Sequence, residues 1–333
     1  MPRIKSGKRS QAKETTWEQT IVERIRGGKV VPLVSNAIGN DLVLGGHQNL
    51  LQSYAEYAEY PLTDGATLSD MSQYRSLVNE GISDALALKE DYINFVKNRL
   101  FDIAEGDEVD GEVLEEAEEQ FDELTFSQFC EHLGYPQFPD EELRPFLHLA
   151  TFDLPVFVTT SYHGFLEMAL RKAGKQPRTE ISRWHMALEQ IPSVLDGDYQ
   201  PSRQEPLVYH LHGYDEYPDS LVLTEDDHLK FLVASAQSVG RETDPIHKRV
   251  RHAMSDSSLM ILGYRLRNWD FRSLFWSLIA ARTRSLTSVL AIQLEPSEDE
   301  KIYMQKYLGV YDFRVFWGDL EVFTTEMHSG LIG

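Results

Sequence analysis

A single cysteine, Cys130, stands in the 333-residue chain, and that scarcity excludes several things at once. No disulfide can form within the chain, and no cysteine-based zinc site can be built. On its own, Cys130 reads as a small buried apolar side chain. Positive charge is also short: 32 Lys and Arg face 53 Asp and Glu, for a net charge of −21. Broad, sequence-independent binding of nucleic acid needs cations to neutralise phosphates, so this balance argues against it. The plain use of such acidity is solubility. No apolar run approaches the roughly 20 residues of a membrane helix. Residues 1–16 carry Arg3, Lys5, Lys8, Arg9 and Lys13 but no apolar stretch. They read as a flexible basic tail and not as a secretory signal. The chain is therefore expected to be cytoplasmic and without a membrane partner.

What is present is enough apolar material for a large core, at 42% hydrophobic residues. Trp17, Ile21, Val22 and Ile25 share one face of a helix that Gly27-Gly28 ends. Val30 to Val34 follows as a short buried strand, with Pro32 as its weak point. Residues 47–102 read as mostly helical, and residues 104–124, with no Lys or Arg, as an exposed loop or solvated helix. From Leu154 onward strands alternate with helices. Val156–Thr160, Leu207–Leu211, Leu259–Leu262, Ser288–Ile292 and Arg314–Trp317 read as strands, and Phe165–Ala173 and Phe271–Arg282 as helices. Strands spaced by helices need crossover connections, which predicts an α/β fold with a doubly wound parallel sheet of the Rossmann-like kind. The helical and acidic stretch at about 47–150 is then an inserted module within one domain spanning 17–330.

In open parallel sheets a ligand sits beyond the carboxyl ends of the strands. Here those ends carry Ser35-Asn36-Ala37, Thr160-Ser161-Tyr162-His163, His212-Gly213 and Gly263-Tyr264. Small polar residues, glycines and a histidine thus converge where a nucleotide would bind. His212 suits a general base at neutral pH, or else caps its strand as a packed histidine. Asp270 suits the N-cap of the helix that follows it, or else a contact to a ribose. Thr224, with Asp227 three residues on, reads as a helix N-terminus. His210 and His212 are read as facing opposite sides and not chelating one metal easily, so no metal is expected.

The segments VVPLVSNAIG, VFVTTSYHGFLEMAL, VYHLHG followed by LVLTEDDHLKFL, and ILGYRLRNWDFRSLF resemble, in that order, the sirtuin-like domains of bacterial proteins. The resemblance covers roughly residues 20–330. It implies a sirtuin-type sheet that binds NAD, with His212 and Ser161 as catalytic residues. It also implies Ser35, Asn36, Ala37, Thr160, Tyr162, Gly213, Gly263, Tyr264 and Asp270 as cofactor neighbours. The family's protein deacylases carry a four-cysteine zinc module, which a lone Cys130 cannot supply. The resemblance therefore points to the defence-associated branch that hydrolyses NAD and releases nicotinamide, with NAD as substrate and no zinc. It implies an effector of antiviral defence held silent by homo-oligomerisation or by a sensor or ATPase partner. Two departures accompany it. Ser161 and His163 stand where the family has asparagine and aspartate, and Ser35-Asn36-Ala37 replaces a glycine-rich phosphate turn. The alternative implied by these changes is a nucleotide-binding module that regulates or assembles a defence complex without catalysis.

Overall fold

The structure is a computed structural model that describes residues 17–36, 38, 43–61, 66–137, 144–238, 241, 243–265, 269–274, 291–294, 301–302, 305–306 and 314–332. Among the described residues, seven parallel strands form one sheet: β1 (Val30–Val34), β2 (Val156–Thr159), β3 (Arg178–Ile181), β4 (Leu207–His210), β5 (Ser258–Leu262), β6 (Ala291–Leu294) and β7 (Arg314–Trp317). Their order across the sheet is β3-β4-β2-β1-β5-β6-β7, and every pairing is parallel. From β1 the chain lays β2 beside it and β3 at that edge, fills β4 between them, and then returns to place β5, β6 and β7 on the other side, so strand order reverses between β1 and β5. The α/β, doubly wound fold expected from the sequence is the fold observed.

Alternate residues of each central strand enter two different cores, as the pleat requires. Val30 and Val34 of β1, with Phe157 and Val208, face one cluster. Val31 and Leu33, with Val156, Val158 and Tyr209, face the other. Burial on both faces explains why these strands read as unbroken apolar runs. Pro32 fits because of where it lies: β1 pairs with β5 along its whole length, but the ladder to β2 begins only at Leu33. Proline has no N–H to contribute, and it stands just ahead of that ladder.

Between β1 and β2 the chain forms a helical module with helices at His47–Tyr57, Leu68–Val78, Ala85–Gly106, Gly111–Glu119 and Phe126–His132. In the Gly111–Glu119 helix only Ala117 is buried, so the acidic stretch is a solvated helix. The module is pinned internally by Arg75, whose guanidinium grips Asp91 through two bonds of 2.6 and 2.8 Å while lying 3.9 Å over the Tyr57 ring. It is fastened to the sheet by groups that matter for the site. Lys89 Nζ donates to the Asp219 carbonyl at 2.9 Å. Ser127 Oγ accepts from the Gly164 N–H at 2.8 Å, and the Ser127 N–H donates to the Asp215 carboxylate. Tyr92 meets Tyr162 edge to face, with centroids 5.6 Å apart. The loops beyond β2 and β4 are thus held from outside by the insertion. Cys130 is fully buried within this module.

Candidate active site at the strand ends

Register brings the polar strand ends together. Val34 pairs with Thr159 and Leu262, and Thr159 pairs with His210. Two residues further on, Asn36, Ser161 and His212 follow the ends of three neighbouring strands at the carboxyl edge. The backbone there is tied by a chain of donors across three strands. Asn36 N–H donates to Thr160 Oγ1 at 3.1 Å, Thr160 Oγ1 meets the Tyr264 hydroxyl at 3.3 Å, and that hydroxyl donates to the Val34 carbonyl at 3.3 Å. Ser35 N–H donates to the Leu262 carbonyl at 3.0 Å. Thr160 and Tyr264, both expected as cofactor neighbours, are buried and spend their hydroxyls on this seam. Tyr162 is buried too, and its ring packs on the module side against Tyr92 and Phe126.

Three polar atoms at this edge have no hydrogen-bond partner among the described residues: Asn36 Oδ1, Ser161 Oγ and His212 Nε2. Ser161 is 3% exposed and His212 4% exposed. A buried polar atom without a partner costs about 1–3 kcal/mol, so such groups are kept where something is bound. The Ser161 N–H donates to Thr159 Oγ1 at 2.9 Å, which fixes the backbone carrying this hydroxyl.

His212 projects towards the Glu225–Gln237 helix, where its ring centroid lies 5.1 Å from His228 and 5.0 Å from Phe231. Burial, and then the neighbouring His228, push its pKa well below the ordinary histidine value. It is therefore a neutral imidazole at pH 7. His210 faces the opposite way, towards the Phe165–Lys172 helix, where its Nε2 lies 2.8 Å from Glu167. A spacing of two would put both histidines on one face of a continuing strand, but β4 ends at His210, and the chain leaves the strand before Gly213 at φ +91°, so His212 packs against different neighbours. His163 is buried with neither ring nitrogen bonded, stacked 3.9 Å from Phe165, and burial pulls its pKa down to about 3.

The glycines divide by what surrounds them. Gly213 has φ +91°, and a Cβ there would come within 2.3 Å of the Ser220 carbonyl oxygen. It therefore serves a backbone crossing between the β4 loop and the Pro218–Ser220 turn. Gly263 has φ +72°, and a Cβ there would meet Ile38 Cγ1 at 2.4 Å. Ile38 lies over the glycine, at the point where strand order reverses. Ala37 lies outside the described residues, as does the Asp270 side chain. The helix carrying Asp270 begins at Trp269, which puts Asp270 in its first turn rather than at its cap. Thr224 does cap its helix: it accepts from Asp227 N–H at 3.1 Å, and Asp227 accepts in return from Thr224 N–H at 3.2 Å.

Residues 155–311 match the family model of the SIR2-like domain. The similarity to that family spans just under half of the 333-residue chain. Such domains commonly bind NAD and act as NAD-dependent enzymes. The matched span begins just ahead of β2 and contains Thr160, Ser161, Tyr162, His212, Gly213, Gly263, Tyr264 and Asp270; β1 with Ser35 and Asn36 precedes it. No curated protein matches the chain. Within the matched span, the expected site residues did not include His228 and Phe231, which pack against His212, Trp269, which stacks on His228, or the Glu167 carboxylate. Glu167 had a visible signal, being a charged residue inside the apolar run Phe165 to Leu170, every member of which is buried. Among the described residues, no helix is long and apolar enough to cross a membrane. Nor does any group of three or more His, Cys, Asp and Glu among them suit a metal ion.

Proposed function

We propose that the SIR2-like domain hydrolyses NAD, breaking the bond between nicotinamide and ribose. The observation that carries this reading is the row of three unpartnered buried atoms, Asn36 Oδ1, Ser161 Oγ and His212 Nε2, at the carboxyl ends of β1, β2 and β4. Hydroxyls and amides are the groups that would satisfy them, and NAD offers both, so the residues present fit this substrate. Asn36 and Ser161 bind and orient in this proposal, while Ser35, Thr160, Tyr162, Gly213 and Tyr264 shape the wall they stand on. Gly263 lines the crevice at the reversal of strand order once Ile38 moves aside, and Ala37 and Asp270 complete the contact set.

In the reaction the ribose carbon–nitrogen bond breaks and its electron pair passes to the nicotinamide ring, which leaves neutral. The sugar carbon, left positive, forms a bond to a water oxygen, and the neutral imidazole of His212 takes the proton that this water releases. Ser161 holds the water or a ribose hydroxyl for this step. The wider role, an effector of bacterial antiviral defence kept silent by self-assembly or by a sensor or ATPase partner in the cytoplasm, follows the sequence resemblance. The cover of His228 and Phe231 over His212 supports a resting state that must be released.

A second reading has its own observations. Ser161 is shorter than the asparagine the resemblance leads one to expect, and His212 is held at low basicity. Both favour a domain that binds the nucleotide without cleaving it. Purified protein incubated with NAD, alone and with its natural partner, separates the two. Release of nicotinamide that disappears in His212→Ala supports hydrolysis. NAD binding without release under either condition overturns hydrolysis and supports the binding module.

A further inference from the structure

Behind the strand edge lies a second histidine that the proposed reaction does not use. His210 is fully buried, and both of its ring nitrogens are engaged: Nδ1 lies 2.6 Å from the Ser161 carbonyl oxygen and Nε2 lies 2.8 Å from Glu167 Oε1. A carbonyl oxygen only accepts, so Nδ1 must carry a proton. Glu167 is also fully buried and accepts a further bond from Thr179 Oγ1 at 2.9 Å. With Nδ1–H committed, a neutral imidazole would turn its Nε2 lone pair against a carboxylate at hydrogen-bond distance. The contact at Nε2 therefore requires one more proton, shared between the two side chains.

We propose that His210 and Glu167 form a positioning pair that clamps the Ser161 carbonyl, and through it the Ser161 hydroxyl, and that the clamp holds only while the pair keeps this shared proton. The use made of Ser161 rests on the hydrolase reading, but the clamp itself does not. Glu167 comes from the helix that follows β2, His210 from the end of β4 and Thr179 from β3, so three elements converge on one peptide group. The other titratable groups facing His210 are Asp215, His163 and the Tyr214 ring, whose centroid is 4.7 Å away. Burial disfavours the charged imidazole, but Glu167, and after it the Ser161 carbonyl and Asp215, outweigh burial and raise its pKa. The sign follows: the pair is intact at neutral pH and loses its proton, and the clamp with it, as pH rises through that raised value.

Two variants separate the charge from the geometry. In Glu167→Ala the clamp has no anchor. In Glu167→Gln the amide can donate to Nε2 of a neutral His210, which keeps its Nδ1–H on Ser161 with no titrating proton. Amide hydrogen exchange of the 160–164 segment in ligand-free protein, with strand amides as reference, reads the clamp directly. Wild type should lose protection there by at least about tenfold between about pH 7 and about pH 9.5, after correction for intrinsic exchange. Glu167→Ala should show the loss already at neutral pH, and Glu167→Gln should show neither the loss nor its pH dependence. If NAD is turned over, kcat should fall about a hundredfold in Glu167→Ala with KM little changed. Its alkaline decline should disappear in Glu167→Gln. Unchanged segment protection across the pH series in wild type overturns the clamp. So does equal protection in folded Glu167→Ala and wild type. A wild-type protein that shows the exchange pattern but neither binds nor cleaves NAD removes the hydrolase reading and leaves the clamp standing.

Discussion

His212 and His228 meet edge to face, ring centroids 5.1 Å apart and planes at 81°. Neither ring is charged at neutral pH, since burial lowers both and holds His228 at about 4. Trp269 stacks over the outer face of His228 at 6.4 Å and donates from its indole nitrogen to Glu225 at 3.0 Å. The candidate base is therefore roofed by a helix that a second helix latches in place.

That roof makes a prediction about access. Trp269→Ala removes both the stacking and the indole bond without touching His212, and it should raise the rate of nicotinamide release severalfold. Glu225→Gln should have a smaller effect in the same direction, because an amide oxygen still accepts from the indole. A folded Trp269→Ala protein whose rate stays at or below that of wild type would count against the roof as a barrier.

Ser161 sets stability against activity. Its hydroxyl is buried without a partner, so Ser161→Ala should raise the unfolding free energy by about 1 kcal/mol while reducing NAD binding or turnover. Thermal denaturation and a nicotinamide assay on the same preparation test both halves. Ser161→Asn, which restores the longer amide, should raise turnover above wild type.

Acid should unfold this protein readily, for an unusual reason. His163 binds a proton only near pH 3 in the native fold and His228 only near 4, whereas both do so near 6.5 when unfolded. His212 shifts the same way. The unfolded state thus holds the excess protons, and native stability is lost as pH falls below about 6.5, by about 1.4 kcal/mol per pH unit for each proton. Asp215 opposes this. Burial raises it to about 6, so the native state keeps its proton where the unfolded chain has lost it. Three imidazoles outweigh one carboxyl between about pH 4 and about pH 6. His163→Phe, which preserves the stack on Phe165, should reduce proton uptake on unfolding by about one. Chemical denaturation at several pH values measures it.

The two strand-end glycines should fail differently. Gly213→Ala drives a Cβ into the Ser220–Leu221 backbone and should cost more than about 3 kcal/mol, with no side-chain substitution able to relieve it. Gly263→Ala meets only the Ile38 side chain, so Ile38→Ala in the same chain should recover all but about 1–2 kcal/mol of backbone strain. Unfolding free energies of the two single variants and the double variant decide this.

Elements with a strong local signature were legible in the sequence. The Trp17–Arg26 helix, β1 and β7 have the bounds that the sequence predicts, and β2, β4 and β5 differ by one residue at an end. Of the Phe271–Arg282 helix, the described part is Trp269–Leu274, and β6 is observed at Ala291–Leu294. The edge strand β3 escaped because its sequence is polar, and its buried charge is concealed by partners. Glu180 accepts from Arg183 at 2.7 Å and from Val194 N–H at 2.9 Å, bonds made to residues outside the strand. The candidate site was legible as a set of strand ends, since periodicity locates where strands stop. Its roof was not, because His228 reaches His212, and Trp269 reaches His228, only through the packing of distant helices. The buried pair of His210 and Glu167 lies between these cases: each residue is conspicuous in its own segment, but their meeting depends on tertiary contact.

The central strand also has a consequence for how the chain is made. β1 is synthesised well before β5, yet its full-length ladder is with β5, so Val34 waits for Leu262. As the chain leaves the ribosome, β1 is an apolar strand with an open edge until β5 has emerged. Pairings this distant close slowly and leave edges free to join other chains. Biogenesis of this protein should therefore depend on chaperones that shield the nascent sheet, and translation stalled ahead of β5 should yield aggregates rather than a smaller folded domain.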